Sequence, residues 1–115
     1  MAQPRPLHVQ VLPGPDGGAT VVEAAGDLDF TSIDTLRAVL LPLVAKGRVV
    51  LDAAGVTFCD SAGLHAILQA RRDARANGTV FRVAAPPGPL TRVMELSGAL
   101  QLLTVFPDAR AALTE

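Results

Sequence analysis

Apolar and polar positions change their spacing several times along the chain, and each change marks an element. Leu7 to Leu12 alternates weakly, which predicts a first strand, and Ala19 to Ala25 is a second apolar run of strand length. Between them, Pro13-Gly14-Pro15-Asp16-Gly17-Gly18 is dense in turn residues, so the two runs predict a hairpin. Gly26-Asp27-Leu28-Asp29 ends the second run. The spacing then becomes helical, with Ile33, Leu36, Val39, Leu40, Leu43 and Val44 on one apolar stripe. Thr31 or Ser32 suits the N-cap, Asp34 has the sense of a capping box with Thr31, and Gly47 fits the C-terminal cap. Pro42 removes a hydrogen bond inside this helix, at about 3 kcal/mol in an exposed setting, and predicts a kink or a change of direction near Leu41.

The stretch from Val49 to Leu64 organises the rest. Arg48 to Ala53 reads as a strand buried on both faces, because Val49-Val50-Leu51 is apolar without alternation. A short connection leads to Asp60-Ser61, whose side chains suit a helix N-cap. Leu64, Ile67, Leu68 and Ala74 then recur at helical spacing as far as about Ala76, while His65, Gln69, Arg72 and Asp73 fall elsewhere on the wheel. Ser61 is thereby predicted at a strand-to-helix corner, near the positive end of a helix dipole. Asn77-Gly78 stops the helix, and Thr79 to Ala84 predicts a fourth strand. Pro89 opens a short helix carrying Leu90, Val93, Met94 and Leu96, which ends at Ser97-Gly98. Leu102 to Phe106 predicts a last strand, and Asp108 caps a final helical turn through Leu113.

A hairpin feeding strand–helix–strand units predicts an α/β fold: a single mixed, largely parallel sheet of four to five strands with helices packed against it. Residues 1–115 form one domain, without internal repeats or a long linker, and residues 1–6 are expected to be a flexible N-terminus. No apolar stretch approaches the roughly 18 residues of a membrane span, and no apolar segment follows Arg5 as in a secretory signal, so the expected location is cytoplasmic.

Composition mainly removes function classes. Ten basic and eleven acidic residues leave a net charge of −1 without a long run of either sign, and aromatics make up 3%. That gives neither an electrostatic footprint nor a stacking platform for nucleic acid. Cys59 is the sole cysteine, which excludes an internal disulfide and a paired-thiol site and reads as a small buried hydrophobe. His8, His65 and Cys59 have no zinc spacing, and Gly14-x-x-Gly17-Gly18 lacks the lysine of a phosphate-binding loop.

Ser61 reads as a nucleophile, a phosphate acceptor or simply a cap. His65, four residues on, shares its helix face, but no G-x-S-x-G elbow surrounds Ser61 and nothing in the sequence orients His65. A small serine hydrolase built on this pair is the remote reading, and no catalytic residue is assigned. Asp27 and Asp29 read as a carboxylate pair or, more simply, as turn-forming side chains, and Asp52 as a partner for nearby amides.

Three segments together resemble the STAS family, the anti-sigma factor antagonists of bacteria. Gly26-Asp27-Leu28-Asp29 is similar to the element that precedes the family's first helix. Val50-Leu51-Asp52 through Asp60-Ser61-Ala62-Gly63-Leu64 resembles its central strand and D-S-x-G-L signature, and Leu96 to Leu100 with Val105 to Leu113 resembles its C-terminal run. The resemblance implies the STAS fold and a binding protein, not an enzyme. It implies that an anti-sigma factor, itself a serine kinase, phosphorylates Ser61, that phosphorylation ends the interaction and the release of a sigma factor, and that a serine phosphatase restores it. ATP and magnesium would belong to the partner, with no cofactor or metal on this chain. The contacting surface would comprise Asp27, Asp29, Asp60, Ser61, Gly63, Leu64 and His65, on a monomer or weak dimer. Ala62 stands where many members have a second serine, which leaves Ser61 as the acceptor there. The alternative implied by the family is a subunit of a transporter or stressosome-like assembly whose serine is never phosphorylated.

Overall fold

The computed structural model describes residues 4–15 and 17–114. His8–Pro13 (β1) and Ala19–Leu28 (β2) pair antiparallel, from Pro13 opposite Thr20 to His8 opposite Ala25, and form the expected hairpin. Asp16 of its turn and residues 1–3 lie outside the described residues. Of the remaining N-terminal residues, Arg5 is tied to the end of β2. Its amide donates to Asp27 Oδ2 at 3.0 Å, and its carbonyl accepts from the Asp27 amide at 2.8 Å.

The central strand is longer than its hydrophobic run. Arg48–Cys59 (β3) pairs parallel with β2 along its whole length, so the connection expected after Ala53 is strand instead. Two register shifts hid it. Glu23 faces Asp52 but Ala25 faces Gly55, and Gly26 faces Val56 but Asp27 faces Phe58, so β3 carries an extra residue at each place. The first bulge is served by Asp52, whose Oδ1 accepts from the Ala54 amide at 3.1 Å. At Gly55 a Cβ would come within 2.7 Å of Ala25 Cβ, so the close strand approach there needs glycine.

Phe81–Ala84 (β4) and Val105–Phe106 (β5) extend the sheet in parallel, giving five strands in the order β1-β2-β3-β4-β5. Both are shorter than their sequence runs. The Thr79 amide bonds the Ala74 carbonyl at 2.8 Å and its hydroxyl bonds the Val44 carbonyl, so Thr79 closes the preceding turn and leaves the ladder. Residues Ala99–Gln101 form a 3-10 turn before β5.

The helices are Ile33–Lys46 (α1), Ser61–Ala76 (α2), Gly88–Ser97 (α3) and Ala109–Thr114 (α4). α1 runs through the exposed Pro42 without interruption. Its expected capping box does not form. Asp34 is exposed and lies 3.7 Å from Arg37, and Ser32 occupies the N-cap with its hydroxyl bonded elsewhere. Asp108 does cap α4, accepting from the Ala111 amide at 2.8 Å.

Side-chain alternation along β3 sorts the core. Val49, Leu51 and Ala53 point to one face, where Leu36, Leu40, Ile67, Leu90 and Met94 of α1–α3 cover them. Each of the fully buried Val, Leu, Ile and Met side chains contributes about 1.5–3 kcal/mol. Val50 points the other way into a smaller cluster with Ala84 and Ala112, closed by α4. The strand is therefore buried on both faces, as its unbroken apolar run requires. β2 and β3 end together, with Leu28 opposite Cys59, and α1 and α2 both start just beyond that edge. The segments 27–32 and 60–65 are neighbours for that reason.

Candidate functional site

Asp60 is the N-cap of α2: extended in its backbone, it accepts from the Gly63 amide through Oδ1 at 2.9 Å. Its Oδ2 accepts from the Phe30 amide at 3.3 Å, and its own amide donates to the Leu28 carbonyl at 3.2 Å. One carboxylate thus joins the start of α2 to the loop between β2 and α1. Asp60 having taken the cap, Ser61 is free of that duty. It is the first helical residue, exposed, and its hydroxyl has no hydrogen-bond partner among the described residues. The reading of Ser61 as a mere cap is therefore corrected in favour of its neighbour.

Asp27 and Asp29 build the adjoining loop. Asp27 Oδ1 accepts from the Thr57 hydroxyl at 2.7 Å while Oδ2 holds the Arg5 amide. Thr57 is the extra residue of the second bulge, so that irregularity in β3 supplies the contact. Asp29 Oδ1 accepts from both the hydroxyl and the amide of Thr31, at 2.6 and 2.9 Å. The Thr31 hydroxyl is the main cause holding the Asp29 carboxyl below its ordinary pKa. Ser32 donates its hydroxyl proton to the Asp27 carbonyl at 2.8 Å and accepts from the Asp29 amide at 3.0 Å. The two aspartates act as turn-forming side chains and do not pair with each other. They line a groove of about 640 Å³ with Thr57, Phe58 and Pro89.

Two residues expected on the surface lie behind it. Leu64 is 5% exposed and belongs to the core, so its side chain cannot meet a partner without unpacking α2. Gly63 is buried as well, and a Cβ there would collide with the Leu28 carbonyl oxygen. The backbone that approaches Gly63 closely is the chain's own. His65 is exposed and makes no hydrogen bond or ion pair among the described residues, so no third group orients it toward Ser61. Cys59 is buried beneath the corner. Desolvation, with the Asp60 charge adding to it, pushes its thiol up to about 11, which keeps it protonated and inert at neutral pH.

No group of three or more His, Cys, Asp and Glu among the described residues could hold a metal ion. No described helix is long and apolar enough to cross a membrane. Sequence reasoning passed over Phe30, which is 74% exposed beside the Asp60 cap. Its only signal was an aromatic residue inside an otherwise polar capping segment, Asp29-Phe30-Thr31-Ser32.

At the C-terminal ends of β2 and β3, a serine at a helix start thus stands beside a loop braced by aspartates. The STAS domain family model matches residues 10–112, and the chain belongs to that family. Several of the proteins it resembles are anti-sigma factor antagonists. The anti-sigma F factor antagonist of Paenibacillus polymyxa is 26% identical over 112 residues, covering 95% of this chain and 96% of that one. The solved anti-sigma factor antagonist from Mycobacterium paratuberculosis superposes with a TM-score of 0.86 at 24% identity, over 99% of this chain and 97% of that one. The Bacillus antagonist SpoIIAA is solved in two forms, each 19% identical and each covering 92% of this chain. The unphosphorylated form has a TM-score of 0.74 over 93% of that chain, and the phosphorylated form 0.70 over 96%. These likenesses establish the five-stranded mixed sheet with its helices as the STAS fold.

Proposed function

We propose that this chain is a cytoplasmic anti-sigma factor antagonist, which binds a kinase-type anti-sigma factor, frees a sigma factor, and is switched off by phosphorylation of Ser61. The observation that carries the reading is the state of Ser61: an exposed hydroxyl, without a hydrogen-bond partner among the described residues, at the first position of a 16-residue helix whose cap is supplied by Asp60. The names of the relatives support the partner, and the phosphorylated form of SpoIIAA supports the modification.

The chemistry follows from that placement. The Ser61 hydroxyl oxygen attacks the γ-phosphorus of the partner's Mg-ATP, the bond to the β-phosphate oxygen breaks, and the hydroxyl proton passes to a base on the partner. ADP is the leaving group and is still in the partner's site when the phosphoserine forms. A phosphoserine carries about −1.5 to −2 charges at neutral pH. Within this chain the charge is tolerated, because the amides of Ser61 and Ala62 have no partner among the described residues and the helix dipole opposes it. Against the partner the same group abuts the remaining nucleotide phosphates and must be desolvated. A difference of about 2.8 kcal/mol changes affinity a hundredfold, so the switch requires no change of fold. A serine phosphatase resets it.

The test is the intact mass of the protein after incubation with candidate kinase-type anti-sigma factors and Mg-ATP. One added phosphate, absent from Ser61→Ala and accompanied by dissociation, is the expected result. Stable binding without modification by every candidate would refute the switch and favour a subunit of a transporter or stressosome-like assembly.

A further inference from the structure

We infer that Phe30 is the apolar anchor through which this chain docks on its partner, and that Asp60 positions it; the inference rests on the anti-sigma factor reading given above. Phe30 is one of four phenylalanines in the chain. Exposed apolar side chains scattered singly are ordinary, so its 74% exposure alone carries little. Its backbone is what sets it apart. The Phe30 amide is held by Asp60 Oδ2 while Oδ1 of the same carboxylate fixes the start of α2 at Gly63, two residues after Ser61. The flanking residues are pinned too, Asp29 and Thr31 by their own hydrogen bonds and Ser32 by the Asp27 carbonyl. A ring with two rotatable bonds on an immobilised backbone loses little entropy on binding, which is why aromatic anchors dominate interface energetics.

The setting also indicates the chemistry of the complementary surface. The carboxylates of Asp27, Asp29 and Asp60 surround the loop, and the Thr31 hydroxyl holds the Asp29 carboxyl below its ordinary pKa, which favours its charged form. The matching surface is an apolar pocket rimmed by basic or amide donors, placed beside the nucleotide that Ser61 must reach. Docking of Phe30 then fixes the distance between Ser61 and the transferred phosphate. Asp60 acts through Phe30 and is a positioning residue.

The test uses whichever anti-sigma factor binds the wild-type chain. Phe30→Ala is expected to weaken binding by about tenfold or more, with Phe30→Leu recovering part of the loss. It should raise KM for phosphorylation of Ser61 by a similar factor, leave kcat near its original value, and leave Tm unchanged because the ring is exposed. Leu96→Ala, which removes a side chain 80% exposed at the C-terminal end of α3, should alter none of these. Asp60→Asn keeps an oxygen for the Gly63 amide but offers only an N–H to Phe30. It should therefore cost affinity in the wild-type background and much less in Phe30→Ala. Unchanged affinity and KM in Phe30→Ala would overturn the anchor while leaving the antagonist reading intact. Equal costs of Asp60→Asn in both backgrounds would overturn its positioning role. Failure of the wild-type chain to bind any candidate would instead remove the reading beneath both.

Discussion

Gly63→Ala separates two meanings of the glycine in the D-S-x-G-L segment. If its smallness serves a partner's approach, the variant folds normally and binds poorly. The geometry predicts otherwise. A Cβ on Gly63 would collide with the Leu28 carbonyl oxygen and lie 2.8 Å from Leu28 Cγ and 3.0 Å from the carbonyl carbon. Two of those atoms are backbone at the end of β2, which is held by the sheet and by the Asp60 amide. They cannot rotate away, so the start of α2 must move. Overpacking of this kind costs about 1–3 kcal/mol. Alanine recovers up to about 1 kcal/mol over glycine inside a helix, and less in the first turn. A net loss of about 1–2 kcal/mol follows, and at about 4 °C per kcal/mol for a domain of this size Tm should fall by about 4–8 °C. Urea denaturation followed by circular dichroism should show a lower midpoint at an unchanged slope. A variant as stable as the wild type that has nevertheless lost its partner would refute the steric account.

Ser32→Ala should cost about 1–2 kcal/mol in the same assay, because it strips the half-buried Asp27 carbonyl and Asp29 amide of their shared hydroxyl. Equal stability would mean that water replaces the hydroxyl without loss. The raised Cys59 pKa predicts a pH dependence. The folded thiol ionises near 11 and the unfolded one near 9.0, so the unfolded state loses its proton first. Stability should be steady below about 9 and fall as pH rises toward 11. The chain has no tyrosine and a single lysine, so few other groups confuse that window, and Cys59→Ala should flatten the profile.

Elements read from the sequence survived wherever burial and periodicity point the same way. The stripe of α1, the double-sided burial of Val49 to Leu51 and the Asp60 corner all depend on local pattern, and all are present. The failures turned on contacts that a periodic pattern does not encode, or on a helical phase that was overlooked. Ala54 to Cys59 read as connection because two bulges break the alternation, yet β2 lies alongside and satisfies the backbone throughout. The Thr31–Asp34 capping box lost to hydrogen bonds within the loop, which recruit Thr31 to Asp29 and Ser32 to Asp27. Gly63 and Leu64 sat in the signature segment and were placed on its surface, but helical phase turns both inward. Phe30 carried no periodic signal, and its place beside Ser61 depends on a hydrogen bond across thirty residues of sequence.

The division of labour among the aspartates bears on how such a switch works. Both oxygens of Asp27 and both of Asp60 are occupied within the chain, and Asp29 holds Thr31. These carboxylates brace the loop and the helix start, so the edge is rigid before any partner arrives. What stays exposed there includes the Ser61 hydroxyl and the rings of His65, Phe30 and Phe58. Under the proposed switch a phosphate on Ser61 therefore lands on a platform that does not need to rearrange, and the whole change in affinity arises at the contact. That has a measurable corollary. Amide exchange in β2, β3 and α2 should be alike in the free phosphorylated and unphosphorylated chains, apart from the amides at the start of α2. Widespread loss of protection on phosphorylation would mean that the switch acts by loosening the fold, and would refute charge at the contact as its cause.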